Sequence, residues 1–396
     1  MTYRVGIVGA SGYGGAELLR LLAAHPQLEV ATVAAHSQAG MPIAELFPNL
    51  PGDRRFDPVD PAALAELDLV FLATPHGPAI ELGAALADAG VRTVDLSAGF
   101  RLDAEAFTTW YGEQHPRTDL LPPADVTAAA PVAAAAASGA HAPSGASAAA
   151  GASAAHAPVG APAQVGASAA SGASGPARAV YGLTEFARAE VADAVLVANP
   201  GCYVITALLG LLPLAPLLVP GSLIVDGKSG TTGAGRAAKD ALHASHVAGS
   251  IGAYGAPGHR HTGEIERYLG VHGADLGAIS FTPHLLPVPR GLLITAYAGL
   301  GDGVTPDDVQ GALVEAYADE PFVHVLAPGT FPVTKAVVGS NACQVSAVVD
   351  PRTRRVVVTS VTDNLGKGAA GGALQNANVM LGLPETTGLA TIGVYP

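Results

Sequence analysis

Apolar residues along this chain follow two alternating periods. Val5, Ile7 and Val8 form a short run ending at Gly9, and from Ala16 to Ala24 the apolar positions take the spacing of one helix face, closed by His25-Pro26. That predicts a strand, a tight turn and a helix. The alternation continues through 28–36 (LEVATVAAH), 67–75 (LDLVFLATP), a helix over 78–89, and 91–99 (VRTVDLSAG). Strands alternating with short helices predict a doubly wound parallel sheet of the α/β class. Beyond Ala179 the pattern changes. Residues 191–203 (VADAVLVANPGCY) read as a strand ending in a tight turn, and Val204 to Gly221 is almost continuously apolar. That length approaches a membrane span, but Pro213, Pro216 and Pro220 leave about ten helical residues, as in a buried helix. The stretches 222–230, 278–300, 342–350 and 354–363 are β-rich, with a helix over 305–320 between them, and an Ala/Gly-rich helix over 368–381 ends the pattern. This second block predicts a mixed α+β domain.

Between the two blocks, 127–176 contains no charged residue and no Leu, Ile or Phe. Such a composition cannot offset its ordering entropy by burial, so a disordered Ala/Gly/Ser/Pro-rich insertion is expected, 126–178 with its flanks. Charge narrows the partners. With 33 acidic against 20 basic residues the net charge is −13, and no Lys/Arg-rich run occurs, which argues against nucleic acid or an anionic membrane. Two cysteines, Cys202 and Cys343, make no disulfide framework and suit a reducing compartment. A β pattern directly after Met1 leaves no signal peptide to read, so a cytoplasmic protein is expected.

Several motifs carry chemistry. Gly9, Ser11, Gly12, Tyr13, Gly14 and Gly15 follow a strand and open a helix, the context in which a glycine-rich turn accepts a dinucleotide pyrophosphate. At the end of the second strand, around Ser37, no Asp or Glu waits for a ribose 2′-hydroxyl, which favours NADP over NAD. Cys202 stands at a strand-to-helix turn, where the helix dipole can lower a thiol's pKa and favour the nucleophilic thiolate. Cys343, inside a strand, reads as a buried apolar residue. His259 and His261 follow a Gly/Pro-rich loop, and either could act as acid/base beside the thiol. His243 and His246 lack a Cys or carboxylate to complete a metal set, so no metal is expected. Ser229, Gly230 and Gly233 lie in a glycine- and hydroxyl-rich loop that can offer N–H groups to an anion, and Arg101 and Arg290 sit at strand–loop junctions suited to phosphate or carboxylate.

Together, GASGYGGAELLRLL, LATPHG, DLSAGFRL, WYGEQHP, VYGLTE, ANPGCY, SGTTGAGR, HRHTGEIE, VGSNAC and DNLGKGAAGGALQNANVMLGLPETTGL resemble, in order, the N-acetyl-γ-glutamyl-phosphate reductase family of arginine biosynthesis. The resemblance implies a Rossmann domain plus an α+β catalytic and oligomerisation domain, similar in architecture to aspartate-semialdehyde dehydrogenase. It implies a domain for NADP(H) over 1–201, a catalytic domain over 202–359, and a C-terminal helix in 360–396 returning to the first domain. By position Cys202 is the expected nucleophile and His261 the acid/base, with His259 close behind. Asn364 is expected near the nicotinamide, and Arg101, Arg290 and Asn199 near the substrate. The implied reaction attacks an acyl phosphate with the thiolate, leaves a thioester, and reduces it with NADPH to the semialdehyde. A homodimer or homotetramer acting on a small molecule is expected.

The chain departs from the family at Gly99, which usually is Asp, at Thr184 and Gly263, which usually are Pro, and in Cys202-Tyr203-Val204-Ile205-Thr206, one residue longer than usual. Two other readings stand beside this one: the carrier-protein-linked reductase of lysine biosynthesis, disfavoured by Tyr203 and Gly233, and a dinucleotide sensor without chemistry. Deletion of 127–176 is expected to leave folding and activity largely intact, because a surface insertion costs little loop-closure entropy. Soluble yield and turnover of the deletion variant check this, and an insoluble or inactive product would contradict it.

Overall fold

The computed structural model describes residues 1–124 and 178–395. The insertion read over 126–178 lies, except for Arg178, outside the described residues. Strands β1 (Tyr3–Val8), β2 (Leu28–Ala34), β3 (Leu69–Leu72), β4 (Arg92–Asp95), β5 (Val180–Tyr181) and β6 (Leu196–Ala198) form one sheet in the order β2-β1-β3-β4-β6-β5. Every pair in it is parallel. From β1 the chain goes to β2 on one side and to β3 on the other, which makes β1/β3 the topological switch point.

Helices cover this sheet. Tyr13–Leu22 buries Leu18, Leu19, Leu21 and Leu22, and His76–Asp88 buries Ile80, Ala84 and Leu86. The helix Gly371–Met380, from the far end of the chain, adds Ala373, Leu374, Ala377 and Met380 to the core that holds Val5, Ile7 and Leu18. Its Ala/Gly composition lets it approach closely.

The second sheet contains β7 (Ile224–Gly230), β8 (Gly252–Ala253), β9 (Ser280–Leu286), β10 (Leu292–Gly299), β11 (Val323–Val325), β12 (Cys343–Asp350) and β13 (Arg355–Thr362). Its order is β11-β12-β13-β10-β7-β9-β8, and it is mixed: β7–β9 and β11–β12 are parallel, the other pairs antiparallel. Against one face lies the helix Cys202–Leu211, in which every residue from Tyr203 to Leu211 is buried. Val204, Leu208 and Leu209 share a core with Val225, Ile294, Val345 and Val358. Burying a Leu or Val side chain is worth about 1.5–3 kcal/mol, so this helix is anchored along its length and its first residue is held still. Burial on all sides also explains why the segment shows no amphipathic period.

Two boundaries differ from the sequence reading. The strand expected over 191–203 is only Leu196–Ala198, because Val191 to Asp193 complete the helix Thr184–Asp193, with Val191 as its buried anchor. The apolar run after Cys202 stays helical for ten residues and then tightens into a 3₁₀ segment over Leu212–Leu217, where Pro213 and Pro216 stand. No helix among the described residues is long and apolar enough to cross a membrane.

An ion network ties the layers together beside the glycine-rich turn. Glu17, buried in the first helix, accepts two hydrogen bonds from Arg20 and two from Arg290 of the β9–β10 connection, whose Nε also donates to Asp363. Burial would raise the Glu17 carboxyl, but the hydrogen bonds from Arg20 and Arg290 outweigh it and hold the pKa down at about 2. A depressed folded-state pKa gives stability that is fully present above the unfolded value of 4.5 and is lost as pH falls towards 2. The shift corresponds to about 3 kcal/mol. Arg290→Gln should therefore cost about 2 kcal/mol or more at pH 7 and progressively less as pH falls below 4.5 towards 2, read by urea unfolding at pH 7 and pH 3. An equal cost at both would contradict the linkage.

Candidate active site

The switch point opens a groove of about 810 Å³ lined by Gly9, Ser11, Gly12, His36, Ser37 and Gln38, with Thr74 after β3. Gly9 has φ +85°, and a Cβ there would meet the Ala73 carbonyl at 2.5 Å, so the turn requires glycine. Gly12 caps the following helix, so the helix's unpaired N–H groups open beside the groove; Tyr13, Gly14 and Gly15 form its first turn. Neither Asp nor Glu occurs over 35–40, just beyond β2. A neighbouring cavity of about 380 Å³ is lined by Tyr13, Thr231, Thr232 and Lys239, and shares Arg236 with the groove. A third, of about 270 Å³, shares Lys239 with the second and contains Cys202, His259 and His261.

Cys202 begins its helix because the turn Asn199-Pro200-Gly201 follows β6 directly and Gly201 is the cap. The N–H of Gly201 donates to Glu264 Oε1 at 2.9 Å. A Cβ on Gly201 would lie 2.5 Å from His261 Nε2 and 2.9 Å from Arg101 Nη1, so only glycine lets the imidazole and the guanidinium reach the turn that carries the thiol. Glu264 also accepts from Tyr181 Oη at 2.8 Å and pairs with Arg101 at 3.3 Å. It lies one turn along the helix His261–His272 from His261. His259 stands further out, its ring edge-on to Tyr203, Tyr254 and Phe281.

The electrostatics depart from the sequence expectation. Burial pushes the Cys202 thiol up to about 11, against opposing hydrogen bonding from the Tyr203 N–H and the charge of Arg101. The helix terminus does not produce a free thiolate here, because desolvation of the charged form outweighs it. Burial also lowers His261 well below its ordinary range, helped by His259, Arg101 and Arg260, and brings His259 down to about 4, helped by Arg260. At neutral pH the cavity therefore holds a protonated thiol beside neutral imidazoles. His261 Nδ1 is buried without a hydrogen-bond partner among the described residues, so no second group fixes its tautomer.

The other expected residues fall into two groups. Ser229, Gly230 and Gly233 line the Cys202 cavity, and Arg101 is buried at the cysteine turn, where it donates to the Leu96 carbonyl. Asn364, Asn199 and Arg290 line none of the three cavities. Asn364 lies behind the 231–234 loop, accepting from the Gly291 N–H at 2.9 Å and donating to Thr232 Oγ1 at 2.8 Å. Asn199 is buried and donates to the Ala369 carbonyl and accepts from Asn376. Arg290, expected near the substrate, sits in the ion network with the buried carboxylates of Glu17 and Asp363.

Sequence reasoning missed Glu264, Tyr203, Tyr254 and Lys239 as parts of the site. Glu264 was detectable in principle as the acid three residues after His261 on a helix, but not its partners, which come from three other segments. The departures from the family pattern have local explanations. A side chain at Gly263 would collide with the Trp110 indole, and one at Gly99 with Ile80. Thr184 donates to Asn376 at 2.8 Å, and Thr206 donates to the Cys202 carbonyl at 2.8 Å and pairs with Thr362. Cys343 is buried in β12, and burial raises its thiol pKa. Among the described residues no group of three potential metal ligands occurs.

The chain matches the semialdehyde dehydrogenase NAD binding domain over residues 4–194 and the semialdehyde dehydrogenase dimerisation domain over 202–364. It is 42% identical over 404 residues to N-acetyl-gamma-glutamyl-phosphate reductase of Acidothermus cellulolyticus, covering 100% of both chains. The corresponding protein of Brevibacillus brevis is 41% identical over 399 residues, with 99% of each chain covered. In fold it is similar to aspartate semialdehyde dehydrogenase II of Vibrio cholerae complexed with ASA, at TM-score 0.62 and 14% identity, covering 96% of this chain and 98% of that one. Aspartate semialdehyde dehydrogenase with NADP from Candida albicans gives TM-score 0.59 at 14% identity, covering 96% and 99%. The two-sheet architecture, the cysteine at its helix start and full-length identity above two-fifths place the chain in the semialdehyde dehydrogenase family, among the N-acetyl-gamma-glutamyl-phosphate reductases.

Proposed function

We propose that this protein reduces N-acetyl-γ-glutamyl phosphate to N-acetylglutamate 5-semialdehyde and phosphate, the reductive step of arginine biosynthesis, with NADPH and through a thioester on Cys202. The observation that carries the reading is the cavity in which Cys202 heads a buried helix beside His261 and His259, in a chain related over its full length to reductases of that name. A cytoplasmic setting accords with two unpaired cysteines. The match to a dimerisation domain supports a homodimer or a larger homo-oligomer.

In the first step the Cys202 sulfur attacks the acyl carbon and phosphate leaves. The thiol proton passes to His261, whose neutral imidazole is free to accept it and whose Nε2 reaches the cysteine turn. A proton that the half-buried thiol holds up to a pKa of about 11 leaves only as the carbon–sulfur bond forms, so the base has to be close and neutral. When bound, the nicotinamide supplies hydride to the thioester carbonyl. The resulting oxyanion lies near the helix N-terminus, whose first backbone N–H groups have no partner within the helix. Collapse to the aldehyde breaks the carbon–sulfur bond, and the imidazolium of His261 returns its proton to the sulfur. Lys239 and Arg260 line the same cavity and give the substrate's phosphate and carboxylate cationic partners. The absence of an acid after β2 supports NADP as the cofactor form.

Phosphate-dependent reduction of NADP+ by N-acetylglutamate semialdehyde is the direct assay, and no rate in it would contradict the reading. In that assay Cys202→Ser should abolish turnover while NADP+ binding persists, since an alkoxide needs a much stronger base than a thiolate; appreciable activity would contradict the thioester route. His261→Asn should lower kcat by roughly 10²-fold or more, the scale of lost general acid/base help, and His259→Asn by less. The reverse ranking would make His259 the proton carrier.

A further inference from the structure

The 810 Å³ groove at the switch point has a charge problem when set against the ligand that the proposed function assigns to it. A dinucleotide pyrophosphate brings about two negative charges, and a 2′-phosphate brings close to two more. The chain's net charge is −13, and Glu81 lines the groove. Backbone N–H groups and a helix terminus supply only partial charge, worth about half a unit. Among the described residues that line the groove one side chain carries a permanent positive charge, and it does not come from the parallel-sheet layer. It is Arg236, from the loop that follows β7.

Arg236 crosses between the layers. Its Nε donates to the carbonyl of Ser11, inside the glycine-rich turn, at 2.7 Å. Its two Nη groups have no hydrogen-bond or ion-pair partner among the described residues, and the side chain is exposed to the groove and to the neighbouring cavity alike. A guanidinium held by one edge, with its fork free beside a phosphate-accepting turn, is arranged for bidentate phosphate contact. The same loop lines the Cys202 cavity through Gly233 and Ala234, and is tied behind by Thr232 to Asn364 and the Pro289 carbonyl.

We propose that Arg236 is a phosphate clasp for the dinucleotide, contributed with Ala237 by the catalytic layer to a groove built mainly from the parallel-sheet layer. Closing on the phosphate from the opposite side, it couples cofactor binding to the seating of the 229–236 loop against the cysteine cavity. The inference rests on the dinucleotide reading above.

The test is equilibrium binding of NADP+ and of NAD+ by calorimetry to the full-length wild-type, Arg236→Gln and Arg236→Lys proteins. Arg352→Gln, at a distant exposed position, serves as a charge-matched control. Arg236→Gln should raise the Kd for NADP+ at least tenfold, Arg236→Lys should recover part of that loss, and the control should bind as wild type. A loss confined to NADP+ assigns the clasp to the 2′-phosphate, and an equal loss for NAD+ assigns it to the pyrophosphate. Because Arg236 is exposed and makes a single hydrogen bond, the variant should melt with the wild type, which separates lost affinity from lost fold. Unchanged NADP+ affinity in a folded Arg236→Gln protein overturns the clasp alone, whereas a wild type that binds neither dinucleotide overturns the cofactor reading beneath it.

Discussion

A buried carboxylate organises the catalytic centre. Glu264 is almost without solvent exposure, and its two oxygens take a hydrogen bond from Tyr181, one from the Gly201 backbone and one from Arg101. These partners come from β5, from the turn after β6 and from the loop after β4, while Glu264 belongs to the helix that starts at His261. One side chain thus fixes four segments relative to one another. An unpaired carboxylate at such depth would be costly, so the segments cannot drift apart without exposing or orphaning it. The spacing between nucleophile and imidazole follows from that knot: Gly201 precedes Cys202, and His261 sits one helical turn before Glu264.

The same dryness sets the chemistry. Removing water raises the thiol and lowers both imidazoles, so the resting site stores its proton on sulfur and keeps its base uncharged. A resting thiolate would be open to oxidation and alkylation, whereas a protonated thiol becomes nucleophilic only when an acyl group arrives close enough for proton and carbon transfer to occur together. Two tyrosines frame the cavity, buried Tyr203 and exposed Tyr254, with their hydroxyls hydrogen-bonded to each other and Tyr203 also to the His284 carbonyl, so this wall stays ordered without adding charge.

Much of this was legible in the sequence. The β1 strand, the Gly9 turn and the following helix are encoded locally by apolar period and glycine placement, so they emerge from one short stretch. Cys202 and the two histidines were marked by their residue types and by their place at element starts. What the sequence could not show was partnership. Arg101 and Arg290 look alike on paper, each an arginine at a strand–loop junction, yet Arg101 reaches the cysteine turn and Arg290 is held by Glu17 and Asp363. Only the three-dimensional arrangement of acids, set by long-range packing, distinguishes them. The direction of the Cys202 shift was lost for the same reason: a helix terminus is a local feature, whereas desolvation by the surrounding cavity belongs to the whole fold. Gly263 illustrates a third limit, since its meaning depends on Trp110, far away in the chain.

The proposed route requires a covalent acyl group on Cys202. Intact-protein mass spectrometry of the Cys343→Ser variant, quenched in acid after incubation with N-acetyl-γ-glutamyl phosphate and no nicotinamide, tests it most directly. One stoichiometric increment equal to the N-acetylglutamyl group is expected, located on the Cys202 peptide and discharged on adding NADPH. Substrate consumption on NADPH addition with no adduct at any time before it would show direct reduction of the acyl phosphate and rule out the thioester.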